Sequence, residues 1–177
     1  MKRTQSKNSS VQFLALTGLF IALVYVFTVF INIRLPISIN GGLIHLGNVP
    51  LFICAILFGK KPGMIAGGVG MALFDITSSY TVWAPFTLVI VGLMGYLVGW
   101  ITEKDDSYPR IVLALFVALI VKLVGYYIAE IILYGNWISP LTSLPGNIIQ
   151  ITVGALVTLV CIGPLKKATK QILNNRW

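Results

Sequence analysis

The chain has 177 residues, of which 57% are hydrophobic and 10% charged, with a formal net charge of +8 and a mean hydropathy of +0.91. A soluble domain carries about a quarter charged residues, so a hydrated surface all round is excluded, and residues 1–177 are expected to form one all-α integral membrane domain. The basic residues are scattered through short connections and tails and form no stripe, which excludes nucleic acid as a partner and leaves the lipid bilayer.

A tail with Lys2, Arg3 and Lys7 precedes an apolar run over about 11–31. The run exceeds the roughly 7–15-residue core of a signal peptide and lacks a small-residue cleavage site, so a retained helix is expected. Ala15, Gly18 and Ala22 put small residues on this helix where a partner's helix could approach closely. The connection Arg34–Gly42 leads to a second predicted helix, 43–58, with His45 at its outer start. Gly59-Lys60-Lys61-Pro62 separates it from a Gly-rich third, 63–78, which carries Gly63, Gly67, Gly68 and Gly70, and Asp75 near its outer end. Tyr80 and Trp83 stand on the short turn to the fourth, 84–101, where Gly92, Gly95 and Gly99 form another small face. The fifth helix is predicted over 111–134 and the sixth over 141–162. Cys54 and Cys161 have no second thiol or histidine at metal spacing and read as small hydrophobes.

Six spans are therefore expected. The second and third are short at about 1.5 Å per residue, and a re-entrant pair with four full spans is the alternative count. Charge supports six, with both termini cytoplasmic. Lys2, Arg3, Lys7, Lys60, Lys61, Lys104, Arg110, Lys166, Lys167, Lys170 and Arg176 then fall inside, against Arg34 outside. No GxxxxGK[ST] phosphate loop, HExxH pair or Ser/His/Asp set is present, since His45 is the lone histidine. No catalytic residue, metal ligand or cofactor is assigned, and energy for transport has to come from a partner or an ion gradient.

Polar groups inside a bilayer are costly, so their depth is informative. Lys122 lies near the midplane of the fifth helix, with Tyr126 and Glu130 one and two turns further out, all within about 80° of one stripe. Asn147 and Gln150 share a face of the sixth at i, i+3. With His45, Asp75 and Trp83 they imply a small polar pocket opening outward, partly lined by aromatics. Each has a structural alternative. Lys122 could snorkel, Asp75 could tie the Gly-rich turn, His45 could fix the first loop, the two carboxamides could bridge helices, and Trp83 could anchor at the interface. Glu130 and Lys122 stand about 12 Å apart along the axis, too far for a direct ion pair.

The segments Gly41-Gly42-Leu43-Ile44-His45-Leu46-Gly47-Asn48, Leu57-Phe58-Gly59, Gly67-Gly68-Val69-Gly70, Asp75, Tyr80, Ala84-Pro85, Gly92-Leu93-Met94-Gly95 and Pro145-Gly146-Asn147-Ile148-Ile149-Gln150 resemble the S components of energy-coupling factor (ECF) transporters, small six-helix vitamin-binding proteins. The resemblance implies a multi-pass subunit of the bacterial plasma membrane that captures a vitamin outside. It implies delivery through a transmembrane T component and two cytosolic ATPases by reorientation of the whole bundle, with the first and third-to-fourth loops as gates. The family's Ala-xxx-Ala docking face is matched by Gly18 and Ala22, with Gly in the first place. Asn48 and Val91 depart from the family's frequent Asp and Lys. Similarity is greatest to members for hydroxymethylpyrimidine, the thiamine precursor, or pyridoxine, with Glu130, Asn147 and Gln150 reading the ring and Tyr126 or Trp83 stacking on it. The alternatives are an S component for pantothenate or riboflavin, and a solitary proton-coupled carrier using Glu130 and Lys122 as its relay. A membrane enzyme is disfavoured, because the acids do not cluster as metal ligands.

Overall fold

The computed structural model describes residues 2–34 and 43–174, and the side chains of 10–33 and 43–171. The predicted gate on the first loop therefore lies largely, over 35–42, outside the described residues. Six α-helices follow in order: α1 (Lys2–Phe30), α2 (Asn48–Phe58), α3 (Lys60–Thr77), α4 (Ala84–Thr102), α5 (Tyr108–Tyr134) and α6 (Leu144–Asn174). Among the described residues four stretches are long and apolar enough to cross a membrane: Ser10–Phe30, Thr81–Thr102, Tyr108–Tyr134 and Leu144–Gln171. Their outward faces are apolar, as Leu14, Val89, Ile132 and Val160 illustrate, and hydrocarbon rather than water suits such a surface.

The second helix starts later than its apolar run suggests. Residues Leu43–His45 form strand β2, antiparallel to β1 (Asn32–Arg34), with Ile33 opposite Ile44 and Asn32 opposite His45. The cause is local. Asn32 turns its carboxamide back onto the carbonyls of Thr28 (3.0 Å) and Val29 (2.5 Å), ending α1 and satisfying acceptors the helix leaves open. The chain then leaves extended, and pairing with β2 satisfies its backbone. Pro50 sits in the first turn of α2, where its missing N–H costs nothing.

At roughly 1.5 Å per residue, the 11 residues of α2 reach only about 16 Å. Gly59 joins α2 directly to α3 at φ +91°, a left-handed value that a side chain would strain. The α3–α4 contact is the closest in the bundle. A Cβ on Gly68 would stand 2.7 Å from the Leu88 carbonyl oxygen, and one on Gly63 would stand 3.0 Å from the Gly95 carbonyl oxygen. Small residues are what let these backbones touch.

The remaining boundaries also have identifiable causes. The Asp105 carboxylate accepts from the Ser107 N–H (2.9 Å) and hydroxyl (3.1 Å) ahead of α5; these bonds hold its carboxyl below the usual range. Gly135, at φ +64°, closes α5. The sixth helix was expected from 141, but Ser139–Thr142 is a 3-10 turn. There the Asn136 carboxamide oxygen accepts from the N–H groups of Ile138 (2.7 Å) and Ser139 (3.3 Å). At its other end α6 outruns the predicted 162 and reaches Asn174. Lys166, which pairs with Asp106 at 3.0 Å, and its basic neighbours end the apolar run without ending the helix.

Leu51, Phe52, Met94, Val98, Ile111 and Ile162 pack into one core. They occupy the end of the bundle where α4 finishes and α5 begins. The opposite end, at the finish of α3 and α5 and the start of α4 and α6, is polar.

Candidate substrate-binding site

At that polar end β2 and helices α3 to α6 line an open cavity of about 110 Å³. Its wall holds His45 from β2, Asp75 from α3, Trp83 from the turn before α4, Lys122, Tyr126 and Glu130 from α5, and Asn147 and Gln150 from α6. Every residue singled out from the sequence as a ligand contact therefore stands on one cavity.

The helical stripe on α5 carries the charge. Lys122 is 3% exposed, its Nζ donates to Gln150 Oε1, and it lies 5.4 Å from the centroid of the Tyr126 ring. Glu130, also 3% exposed, accepts from the Ser143 hydroxyl at 2.5 Å. Their hydrogen bonds thus go to different residues of the wall. Asp75 is buried, with Oδ2 lacking a partner among the described residues, and it interacts electrostatically with Lys122.

Aromatic rings form the rest of the wall. Trp83 lies 6.1 Å from Tyr126 and 6.1 Å from Tyr134, between centroids, in tilted arrangements, within the range favoured by aromatic pairs. His45 lies 6.4 Å from the Phe74 ring, and its Nδ1 is buried with no partner among the described residues. Gln150 Nε2 is in the same condition. Buried polar groups ordinarily find partners, which sets these two atoms, like Asp75 Oδ2, apart from the rest of the wall. Asn48 is fully buried, and a Cβ on Gly154 of α6 would stand 3.1 Å from its own; it does not line the cavity.

Sequence reasoning missed two hydroxyls. Thr87 bonds Tyr126 across the wall at 3.0 Å, and Ser143 bonds Glu130. Each lies four residues from a residue already singled out, Thr87 after Trp83 and Ser143 before Asn147, and that spacing was the available signal. Away from the cavity, Ala15, Gly18 and Ala22 lie on the exposed side of α1, and a Cβ on Gly18 would meet nothing within 4 Å. The opposite side, with Val24 and Thr28, is buried.

Residues 8–167 match the family model described as ECF-type riboflavin transporter, S component. A protein described as uncharacterized, in the gap 3′ region of Pyrococcus woesei, is 41% identical over 103 residues, covering 58% of this chain and 69% of that one. The thiamine precursor transporter HmpT of Lactococcus lactis subsp. cremoris (strain MG1363) is 31% identical over 167 residues, 94% of each chain. A solved structure of the S component of a bacterial ECF transporter superposes with a TM-score of 0.75 at 21% identity, covering 91% of this chain and 99% of that one, which shows a shared fold. With its apolar helices, its cavity lined by polar and aromatic side chains and a family match along nearly its whole length, this chain belongs to the S components of ECF-type transporters, membrane subunits of transport and not enzymes.

Proposed function

We propose that this S component captures hydroxymethylpyrimidine, or a close single-ring relative such as pyridoxine, from outside the cell. The observation that carries this reading is the size and wall of the cavity. Its volume of about 110 Å³ is of the order of the roughly 150 Å³ cavity that takes up one benzene. A tricyclic flavin with its side chain needs several times that space, which favours a single-ring ligand over the riboflavin of the family's description. An anionic pantothenate would meet Asp75 and Glu130, with the compensating Lys122 already held by Gln150. A small neutral or weakly basic heterocycle meets none of these penalties. Trp83 and Tyr126 offer ring faces, Glu130 and Asp75 accept from amine or hydroxyl groups, and His45, Asn147 and Gln150 read the edges. HmpT, similar over 94% of each chain, is named for a thiamine precursor and supports the same class.

In this reading residues 1–177 form a single membrane domain of the cell membrane, bacterial by analogy with HmpT. Six segments cross the bilayer and both termini are cytoplasmic. The short α2 completes its crossing with the β-hairpin ahead of it, where irregular backbone is shielded by protein. The basic residues then lie inside and the cavity opens outward. Ala15, Gly18 and Ala22 dock on a transmembrane T component, which couples the chain to two cytosolic ATPases, and the bundle reorients as a body to release its ligand. Glu130 and Lys122 have separate partners rather than a shared one, which does not favour a proton relay in a solitary carrier.

Calorimetric titration of the purified chain in detergent tests the ligand class. Saturable one-to-one binding of hydroxymethylpyrimidine, with pantothenate and riboflavin inert, is the expected result. Preferential binding of riboflavin or pantothenate overturns it.

A further inference from the structure

A second cavity, of about 180 Å³, opens on the outer surface of the bundle where α5 and α6 run side by side. Val112, Phe116 and Leu119 from α5 face Ala155, Leu156 and Leu159 from α6 across it. Phe116 and Leu156 are 58% and 59% exposed, so in a bilayer this groove is open to hydrocarbon. From Leu159 to Ile151, at its two ends, α6 rises about 12 Å, which falls within half of a hydrocarbon core roughly 30 Å thick.

The end nearer Leu159 points to the basic end of the bundle. Ala155, Leu159, Lys166 and Lys170 lie within about 60° of one stripe on α6, so the groove runs towards two lysines. Between them stands Tyr108, whose hydroxyl rests against α6: a Cβ on Gly163 would stand 2.8 Å from it. The acids here are already engaged. Lys166 pairs with Asp106 at 3.0 Å and Lys60 with Glu103 at 2.8 Å, and Asp105 accepts from Ser107 and feels Arg110 and Lys166. Lys167 and Lys170 are exposed and form no salt bridge among the described residues.

We propose that the α5–α6 groove is a binding site for one anionic phospholipid, with an acyl chain in the groove and the phosphate at Lys170, Lys167 and the Tyr108 hydroxyl. A partner's helix, about 10–12 Å across, is too bulky for this volume, whereas a single chain enters it. The free lysines select the negative headgroup, as basic pockets between membrane helices do. In the orientation proposed above the lipid belongs to the inner leaflet. The site is distinct from the vitamin cavity and from the small-residue face of α1, and it holds whichever ligand that cavity takes.

Native mass spectrometry of the detergent-solubilised full chain, titrated with dioleoyl phosphatidylglycerol and in parallel with dioleoyl phosphatidylcholine, tests the proposal. One bound phosphatidylglycerol is expected, at roughly tenfold or more the affinity of phosphatidylcholine, whose choline the lysines repel. The double variant Lys167→Gln, Lys170→Gln is expected to remove the preference. Ala155→Phe fills the groove and is expected to abolish one-to-one retention of either lipid. Thermal melting identifies a variant that fails to fold, and Thr152→Phe, on the exposed wall of the groove, replaces Ala155→Phe in that case. Equal affinity for the two lipids, or a preference that survives loss of both lysines, overturns the proposal. So does retention unaltered by filling the groove, which would mean attraction of headgroups to the surface alone.

Discussion

Glu130 is the acid most deeply committed to the cavity: it is 3% exposed, reaches the wall from α5 and accepts from Ser143 on the approach to α6. Glu130→Gln preserves shape and removes the charge. Hydrogen bonds to a charged group contribute about 1.5–3 kcal/mol, so the dissociation constant for hydroxymethylpyrimidine is expected to rise by roughly tenfold or more, read by calorimetry. An unchanged constant would remove Glu130 from the ligand contacts. The stripe of Lys122, Tyr126 and Glu130 was legible because helical periodicity fixes a shared face within one segment, and the same holds for Asn147 with Gln150. The pairing of Lys122 with Gln150 was not legible, because a single sequence carries no register between α5 and α6. Thr87 and Ser143 were hidden for another reason. Hydroxyls such as Thr102 and Thr158 bond their own helix, at 2.8 and 2.7 Å, so a threonine or serine in a span signals little by itself.

The helices differ in what their glycines face. Gly68 on α3 abuts the α4 backbone, whereas Gly18 on α1 faces open space. Overpacking a close contact costs about 1–3 kcal/mol, so Gly68→Val is expected to lower the melting temperature of the detergent-solubilised chain. Gly18→Leu is expected to leave the melt and ligand binding unchanged, and to abolish vitamin uptake in cells that supply the T component and ATPases. Uptake that survives Gly18→Leu would contradict docking through this face. Helix α4 was read to within a residue of its observed ends, since apolar runs bounded by charge and turn residues are strong signals. The β-hairpin was not, because the residues of Leu43–His45 are as apolar as those of the helix that follows, and only pairing with Asn32–Arg34 distinguishes them. The 3-10 turn before α6 and the helical extension beyond its apolar run were likewise set by hydrogen bonds and by continued backbone regularity rather than by hydropathy.

Taken whole, the molecule is polar at one end and filled at the other. The cavity draws on β2 and every helix from α3 to α6, while Phe52, Met94, Val98, Ile111 and Ile162 occupy the interior beyond it. A solute in the cavity has a packed core ahead of it, which supports the proposed delivery by movement of the bundle rather than passage through it. In the proposed reading the size of the cavity selects a single-ring ligand. Mass spectrometry of the small molecules released on denaturing the purified chain, taken directly from the membranes of vitamin-supplied cells, tests this without presuming a ligand. A near-stoichiometric single-ring nitrogen heterocycle bearing a hydroxymethyl group is expected, and a flavin or a carboxylic acid such as pantothenate in its place would contradict the account.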